Sequence, residues 1–241
     1  MNVVKIENIC KTFHTGAGEH EALHNVSFSI NEGQCAVIGG ENGSGKSVLM
    51  SIISGLEDPD SGTVDCYGKV GLVFQEAESQ ILGETIAEDI AYGPKNLGWS
   101  KEQVAAAVAG AMESVGLTEK ADYPARFLSG GEKRRLAVAC MLAMELPIII
   151  FDEPYANLDY VGVKQVNALI KDLKAHGKTV IILTHEIEKC LGLAQRFIVL
   201  FQGSKVFDGS AEEGLALGDQ LEKWNIRNPL TSYNGLQDLV W

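Results

Sequence analysis

The residues Gly40–Ser47 have the types and spacing that hold the phosphate groups of a nucleotide. Gly43 and Gly45 let the backbone turn so that successive N–H groups point at phosphate oxygens. Lys46 adds a positive charge for the β- and γ-phosphates, and the Ser47 hydroxyl can ligate Mg²⁺. Apolar residues flank the run on both sides, which predicts a strand, a tight loop and a helix. The predicted nucleotide-binding residues here are Gly40, Glu41, Asn42, Gly43, Ser44, Gly45, Lys46, Ser47 and Val48.

Two carboxylates, Asp152 and Glu153, directly follow the apolar run Ile148–Phe151. Four bulky apolar residues in a row predict a strand of a parallel sheet that is buried on both faces. Ligands of open α/β sheets bind at the carboxyl ends of such strands. An acidic pair at a strand end is by itself usually a solvated turn. Downstream of a phosphate loop, we expect Asp152 in the Mg²⁺ shell and Glu153 beside the water that attacks the γ-phosphate.

A histidine, His185, follows a third predicted strand, Thr179–Thr184. A lone histidine after a strand is more often structural than catalytic. His185 shares the strand-end position of the acidic pair, so we expect it to contact the γ-phosphate.

The run Leu128–Arg135 contains Ser129-Gly130-Gly131-Glu132, which resembles the signature sequence of ABC-type ATPases. Further motifs of that family occur in the expected order over about residues 3–209. Gln75 resembles the Q-loop glutamine, which touches Mg²⁺ or the attacking water, and Asp159 lies in a segment that resembles the D-loop. His185 resembles the switch histidine. Phe13 resembles the aromatic residue that stacks on adenine, a contact that suits a phenyl ring.

The resemblance implies an α/β fold, a P-loop NTPase of ABC type. Its core sheet would be mainly parallel, with an N-terminal antiparallel β subdomain and a helical signature subdomain at about residues 76–140 of an ATPase domain 1–209. ATP, with Mg²⁺, would be sandwiched between two ATPase subunits. The family's implied residues are catalytic Glu153, His185 and Gln75; nucleotide-binding Phe13, Ser129, Gly130, Gly131 and Asp159; and Mg²⁺-binding Ser47, Gln75 and Asp152.

The segment Gln75–Pro94 resembles the Q-loop region of ATPases in energy-coupling factor importers, which take up vitamins, cobalt or nickel. Ile81, Leu82 and Ile86 would form an apolar socket for a helix of a membrane partner, unless they belong to an ordinary helical core. The implied partners are a second, identical or paralogous ATPase subunit, an integral membrane coupling subunit and a substrate-binding membrane subunit. The alternative is a soluble ABC-type ATPase in iron–sulfur assembly, repair or translation, or the ATPase of another importer or exporter class.

Two residues depart from the family's usual sequence. Val48 stands where threonine is usual and removes a hydroxyl from the α-phosphate side, although its backbone N–H can still point there. Tyr155 stands where a small threonine is commoner. We expect both residues to tune nucleotide affinity or interface packing.

The elements that must position these residues can be predicted in outline. Alternating apolar residues predict antiparallel strands over residues 3–30, interrupted by a polar loop at Gly16–His20. An Ala-rich amphipathic helix is predicted at Lys101–Val115, with Gly116 as its C-cap. Ser129 would begin the signature helix, where Glu132 fits a capping box, the purely structural alternative for this motif.

Composition bounds the class of protein. The chain has 241 residues, 46% hydrophobic, and a net charge of −12, which argues against nucleic acid or anionic lipid as a direct partner. Its apolar runs are too short to span a bilayer, and the start lacks a signal peptide. We therefore expect a peripheral protein on the cytoplasmic face of the cell membrane. Five scattered cysteines without a C-x-x-C pair predict reduced thiols, mostly buried.

The last segment, residues 210–241, carries a weaker pattern. Leucines at 215, 217 and 221 with Trp224 predict a helix, and Arg227-Asn228-Pro229 predicts its end. The stretch Leu221–Pro229 resembles the start of the C-terminal appendage of energy-coupling factor ATPases, which helps pair the two subunits. A helix packed on its own domain is the equally weighted alternative.

Overall fold

Two long strands open the chain in the structure, a computed structural model that describes residues 1–16 and 18–231. β1 (Asn2–Thr15) pairs antiparallel with β2 (Gly18–Asn31), and β4 (Ser61–Cys66) joins the other edge of β1. The predicted antiparallel region is confirmed. The predicted loop at residues 16–20 is too long, because β2 already begins at Gly18 and its polar residues pair with β1. This hairpin tip is exposed to water, so its pairing needs no apolar pattern.

A second, six-stranded sheet forms the centre of the fold. Its order is β5-β6-β7-β3-β8-β9, and every neighbouring pair is parallel except β8 with β9. The mainly parallel core sheet is therefore confirmed. Its strands are β3 (Cys35–Gly39), β5 (Val70–Val73), β6 (Ile148–Asp152), β7 (Thr179–Thr184), β8 (Arg196–Phe201) and β9 (Ser204–Gly209).

Helices cover one side of this sheet, and three of them pack together as a helical layer around the signature sequence. The predicted helix at Lys101–Val115 forms with those bounds, and Gly116 ends it in the left-handed conformation with φ of 66°. Only glycine adopts that conformation without steric cost. The α-helices are α1 (Lys46–Ile53), α2 (Ile86–Asn96), α3 (Lys101–Val115), α4 (Gly130–Ala143), α5 (Tyr160–Ala175), α6 (Ala211–Leu215) and α7 (Asp219–Lys223).

Alternation along the central strands divides the core into two layers. Ile148 and Ile150 of β6 pack toward the N-terminal sheet and α1, whereas Ile149 and Phe151 pack toward the helices. Successive side chains of a strand point to opposite faces, so a strand covered on both sides must be apolar throughout. This burial holds the carboxyl ends of β3, β6 and β7 in a fixed relation, and the predicted site residues follow those ends.

The C-terminal segment differs from its prediction. Two short helices, α6 and α7, replace the single predicted helix, because Gly218 turns the chain between them with φ of 56°. Leu221 and Ile226 are buried in the helix-side core, the layer between the central sheet and the helices to which Ile149 and Phe151 also belong. The segment therefore packs on its own domain as far as Asn228, the last buried residue among those described. The rest of the predicted appendage, residues 232–241, lies outside the described residues.

Within the described ranges, no helix has both the length and the apolar character needed to cross a membrane. All five cysteines are free thiols, with Cys35 and Cys190 buried and the others half-buried.

Candidate nucleotide-binding and hydrolysis site

The phosphate loop joins β3 to α1, as predicted. Gly43 and Gly45 have φ of 82° and 99°, values that L side chains rarely adopt. A Cβ on Gly45 would lie 2.6 Å from the Ala22 carbonyl oxygen and 2.7 Å from Leu23 Cδ2. The loop therefore rests directly on β2, and glycine is required at that point of contact.

Lys46 fills the inside of this loop. Its Nζ donates hydrogen bonds to the carbonyl oxygens of Gly40, at 2.7 Å, and Glu41, at 2.9 Å. Burial lowers the pKa of Lys46, and the nearby carboxylates Glu153 and Asp152 oppose that effect. The hydroxyl of Ser44 is buried and makes no hydrogen bond within the described part of the chain. A cation and a free polar group thus line a loop whose N–H groups suit an anion.

The first residue of the acidic pair, Asp152, meets the start of α1. Ser47 Oγ lies 3.4 Å from Asp152 Oδ2, while Asp152 Oδ1 is buried without a hydrogen-bond partner among the described residues. Burial and the neighbouring Glu153 raise the pKa of Asp152. A cation would satisfy this orphaned oxygen, and a hydroxyl with one carboxylate is a donor set that suits Mg²⁺ bound to nucleotide phosphates. The two side chains therefore fit the predicted metal.

Glu153 is held at the centre of the site. Its Oε2 accepts hydrogen bonds from Thr184 Oγ1, at 2.9 Å, and from the backbone N–H of His185, at 3.3 Å. Its Oε1 lies 3.0 Å from His185 Nδ1 and 3.6 Å from Lys46 Nζ. The residue is 7% exposed and has a left-handed backbone with φ of 44°, a strained conformation for a residue with a side chain. These contacts fix the carboxylate between the phosphate loop and β7.

The structure thus brings together five predicted residues: Lys46, Ser47, Asp152, Glu153 and His185. His185 is half-exposed and lies at the mouth of the site. Thr184 is also a site residue, although the sequence pattern indicated it only as the end of a predicted strand. A hydroxyl residue at the end of an otherwise apolar strand, next to His185, was the available signal.

Gln75 and Phe13 lie outside this cluster of contacts. Gln75 follows β5, the neighbour of β6, so it lies at the same edge of the sheet, and its side chain is exposed. Its carbonyl oxygen accepts a hydrogen bond from Arg134 Nη2 at 3.2 Å. Phe13 is half-buried on β1, with the Lys11 ammonium 5.4 Å from its ring centroid.

The signature residues begin α4. Ser129 is its N-cap and forms a complete capping box with Glu132, so the structural interpretation of that spacing is confirmed. In the first turn, Gly130 is exposed and Gly131 is half-buried. Asp159 is the N-cap of α5, and its side chain accepts a hydrogen bond from the Gly162 N–H at 2.7 Å. In the part of the chain that is described, no hydrogen bond or ion pair joins Ser129 or Asp159 to the phosphate loop.

One contact to the phosphate loop had no signal in the sequence. Asn225, just after α7, donates a hydrogen bond from Nδ2 to Glu41 Oε2 at 2.7 Å. A cleft of about 720 Å³ lies between this C-terminal segment, the phosphate loop and His185.

The departures from the usual sequence are accommodated inside the subunit. Tyr155 is fully buried, and its hydroxyl donates a hydrogen bond to Asn167 Oδ1 at 2.7 Å. Burial raises the pKa of Tyr155. It therefore packs in the core, away from any subunit surface. Val48 is partly buried against the sheet-side core.

A family model described as ABC transporter matches residues 23–156, which run from β2 through the phosphate loop and α4 to just past the acidic pair. The chain belongs to this family of ATP-binding, ATP-hydrolysing proteins. Among its relatives is the energy-coupling factor transporter ATP-binding protein EcfA2 of Clostridium acetobutylicum, 39% identical over 95% of this chain and 87% of the relative. The protein of the same name from Methanospirillum hungatei is 38% identical over 87% of this chain, which spans only 56% of that relative's length.

Solved structures agree with this family. The structure of cbiO1 from Clostridium perfringens, described as part of the ABC transporter complex cbiONQ, has a TM-score of 0.81 and 28% identity over 95% of this chain and 96% of that one. A dimeric ATP-binding cassette in a post-hydrolysis state, bound to ADP and Pi, has a TM-score of 0.76 and 30% identity over 86% of this chain and 98% of that one.

Proposed function

We propose that this chain is the subunit that binds and hydrolyses ATP to energise solute import through a membrane transporter of the energy-coupling factor type. The observation that carries the chemistry is the position of Glu153, held by Thr184 and His185 within 3.6 Å of the Lys46 ammonium. The names of the relatives favour the importer.

Each side chain has a separate task in the proposed reaction. Lys46 and the loop N–H groups bind the β- and γ-phosphates, and Ser47 with Asp152 would hold Mg²⁺, which offsets phosphate charge when bound. Glu153 orients a water and takes its proton as the water oxygen bonds to the γ-phosphorus and the bond to the β–γ bridging oxygen breaks. His185 contacts the γ-phosphate, and Gln75 approaches from the adjacent strand end.

The proposed site is completed by a second subunit. The exposed N-terminus of α4 carries Ser129, Gly130 and Gly131, and a helix N-terminus with glycines suits an anion. Among the described residues, no hydrogen bond joins this helix N-terminus to the nucleotide site of the same subunit. We therefore assign the helix N-terminus to the ATP of a partner subunit. Asp159 would face the same partner, since Tyr160 beside it is 77% exposed. The dimeric relative bound to ADP and Pi supports this arrangement.

The membrane coupling subunit would dock beside Gln75. An apolar groove of about 350 Å³ lies there, lined in part by Phe74, Ile81, Leu82 and Tyr92. Leu82 is 67% exposed and Tyr92 is 50% exposed, large apolar surfaces that suit a helix of a membrane protein. Ile86, predicted for this socket, is fully buried in the core and does not belong to it. The substrate-binding membrane subunit would join through the coupling subunit, which places this chain at the cytoplasmic face of the membrane.

Replacing Glu153 by glutamine tests the proposed chemistry. Glu153→Gln keeps the shape of the side chain and removes the base, so it should bind ATP, accumulate as a closed dimer and hydrolyse at least about 100-fold more slowly. Light scattering after size-exclusion chromatography measures the closed dimer, and phosphate release measures hydrolysis. Ser129→Arg is the matched control, because it should bind ATP without forming the closed dimer. Near-normal turnover in Glu153→Gln would remove Glu153 as the base.

The proposed role in import is tested separately from the ATPase activity. The tagged chain, purified from detergent-solubilised membranes, should bring integral membrane proteins with it, and Leu82→Glu should lose them while keeping ATP binding. Recovery of an active ATPase with soluble partners alone would favour the soluble class of ABC-type ATPase.

A further inference from the structure

A lysine lies under the predicted adenine-stacking ring. Lys11 and Phe13 are two residues apart on β1, so their side chains share one face of the strand. Lys11 Nζ is 5.4 Å from the centroid of the Phe13 ring, within the range of a cation–π contact. Unlike most lysines, Lys11 is only 9% exposed.

Acidic groups hold this ammonium in place. Lys11 Nζ lies 2.5 Å from Glu57 Oε1 and 3.5 Å from Asp60 Oδ1, and it donates a hydrogen bond to the carbonyl oxygen of Asp58 at 2.7 Å. Asp60 Oδ2 accepts a hydrogen bond from the Thr12 N–H at 2.7 Å, which ties the neighbouring residue to the same loop. The hydrogen bond with Glu57 raises the pKa of Lys11, so the ammonium keeps its charge at neutral pH.

These bonds connect the strand of Phe13 to the helix of the phosphate loop. Glu57, Asp58 and Asp60 lie between the end of α1 and the start of β4. Lys11 therefore fixes β1 relative to α1, whose first residues are Lys46 and Ser47.

The hairpin also rests on the phosphate loop at the level of Lys11. Lys11 pairs across the sheet with Leu23, the residue that contacts Gly45. The register shifts between Lys11 and Thr12, because Thr12 pairs with Glu21 and leaves Ala22 as an extra residue in β2. Such a bulge bends the strand that carries the extra residue, which here is β2. Phe13 is two residues beyond Lys11, so it lies about 7 Å along β1 from the level at which the hairpin contacts the phosphate loop.

We propose that Lys11 is a positioning residue for the Phe13 ring and thereby sets how strongly the base of the nucleotide is bound. The inference rests on the proposed ATP site. The ammonium lies over one side of a half-buried ring, and a purine would stack on the other side. A cation on one face withdraws electron density from the ring, which favours stacking of an electron-rich adenine on the other face.

A purely structural role for Lys11 gives a different result. Stabilising the hairpin in general would affect all parts of the nucleotide equally, since the same hairpin supports the phosphate loop. Positioning of the ring affects only ligands that carry a base.

The experiment compares two ligands by isothermal titration calorimetry: ATP, and inorganic tripolyphosphate, which has phosphates but no base. Lys11→Met should weaken ATP binding about fivefold and leave tripolyphosphate affinity unchanged. Lys11→Arg, which keeps the charge, should restore ATP affinity to within about twofold. In a Phe13→Leu background, Lys11→Met should have no further effect on ATP, because the two residues act through one contact.

Lys5→Met is the matched control. Lys5 lies on the same strand and pairs with Glu7 at 2.9 Å, but its side chain is 46% exposed and remote from the ring, so both affinities should stay unchanged. Should Lys11→Met fail to fold, as judged by circular dichroism, Glu57→Gln carries the test. It loosens the ammonium and should weaken ATP binding about twofold with no change for tripolyphosphate.

Three results separate the possible failures. Equal weakening of ATP and tripolyphosphate by Lys11→Met would reduce Lys11 to a structural residue. If Phe13→Leu weakens ATP binding and Lys11→Met does not, the inference about Lys11 fails while the ATP site stands. If wild-type protein binds ATP no more tightly than tripolyphosphate, the stacking contact itself is wrong.

Discussion

The capping box at the signature sequence predicts a specific coupling between stability and hydrolysis. Glu132 Oε2 accepts hydrogen bonds from the Ser129 N–H, at 2.9 Å, and from Ser129 Oγ, at 2.8 Å. Glu132 Oε1 accepts one from Lys120 Nζ at 2.6 Å. Glu132→Ala removes all three bonds. Glu132→Gln keeps the cap, because glutamine also serves in a capping box, and loses the charge together with the hydrogen bond from Lys120, because its NH2 group cannot accept one.

The size of the effect follows from the pKa of Glu132. The hydrogen bond from Lys120 and those from Ser129 lower the pKa of this carboxyl from 4.5 to about 2. That difference corresponds to about 3 kcal/mol of charge-dependent stabilisation. Water around a side chain that is 18% exposed reduces the figure to about 1 kcal/mol. Loss of the cap adds about 1 kcal/mol, so Glu132→Ala should lower the free energy of unfolding by about 2 kcal/mol and Glu132→Gln by about 1 kcal/mol.

The charge-dependent part has a defined pH window. Because the folded-state pKa lies below the ordinary value, the stabilisation is fully present above pH 4.5 and is lost as pH falls toward about 2. The difference in unfolding free energy between wild type and Glu132→Gln, from urea titrations, should therefore shrink over that range. The difference between Glu132→Gln and Glu132→Ala should change much less, because it reflects the cap.

Hydrolysis should follow the cap and not the charge. Glu132→Ala frees the Ser129 hydroxyl from a fixed position, so turnover of the assembled pair should fall about tenfold, while Glu132→Gln stays near wild type. ATP affinity of the isolated subunit should be unchanged in both, since Ser129 is proposed to contact the nucleotide of the partner subunit and not its own. Turnover that falls equally in both variants would refute the argument from the cap.

Two further substitutions test the loop and the core. Gly45→Ala places a Cβ 2.6 Å from the Ala22 carbonyl oxygen at φ of 99°, so it should lower the stability by about 2 kcal/mol in a melting assay and weaken ATP binding. Gly110→Ala is the control, because Gly110 lies in open space within α3, and it should raise the stability by about 0.5–1 kcal/mol in the same assay. Tyr155→Phe removes the hydrogen bond to Asn167 in the core and should lower the free energy of unfolding by about 1–2 kcal/mol. ATP affinity, measured by calorimetry, should not change. A loss of affinity would contradict the internal role of this residue.

Residues whose roles depend on nearby sequence were predictable. The apolar runs before Asp152 and His185 predicted buried parallel strands, and because parallel strands end at one edge of a sheet, the two ends had to meet. Glu132, three residues after Ser129, predicted the cap that the structure contains. In each case the physical cause lies within a few residues of the pattern.

Contacts between distant segments were not predictable from local pattern. Asn225 and Glu41 are 184 residues apart, and no periodicity links them. The sequence left open whether Ile86 belongs to a socket for a partner helix or to a helical core. Ile86 is buried in the core, and this burial depends on how α2 packs against its neighbours. The break at Gly218 was missed because apolar spacing continues across it while the backbone does not. The roles assigned to Gln75, Phe13, Ser129 and Asp159 toward the nucleotide stay predictions.

The hydrogen bond between Asn225 and Glu41 holds a natural fluorophore near the phosphate loop. Trp224 precedes Asn225 and packs partly buried against the helix-side core, whereas Trp99 lies before α3 in the helical layer. Occupation of the phosphate loop should draw Lys46 from the Glu41 carbonyl oxygen toward phosphate, and Asn225, which binds the Glu41 side chain, directly follows Trp224. Emission from Trp224 thus offers a label-free optical readout of nucleotide binding, with Trp99→Phe removing a background signal.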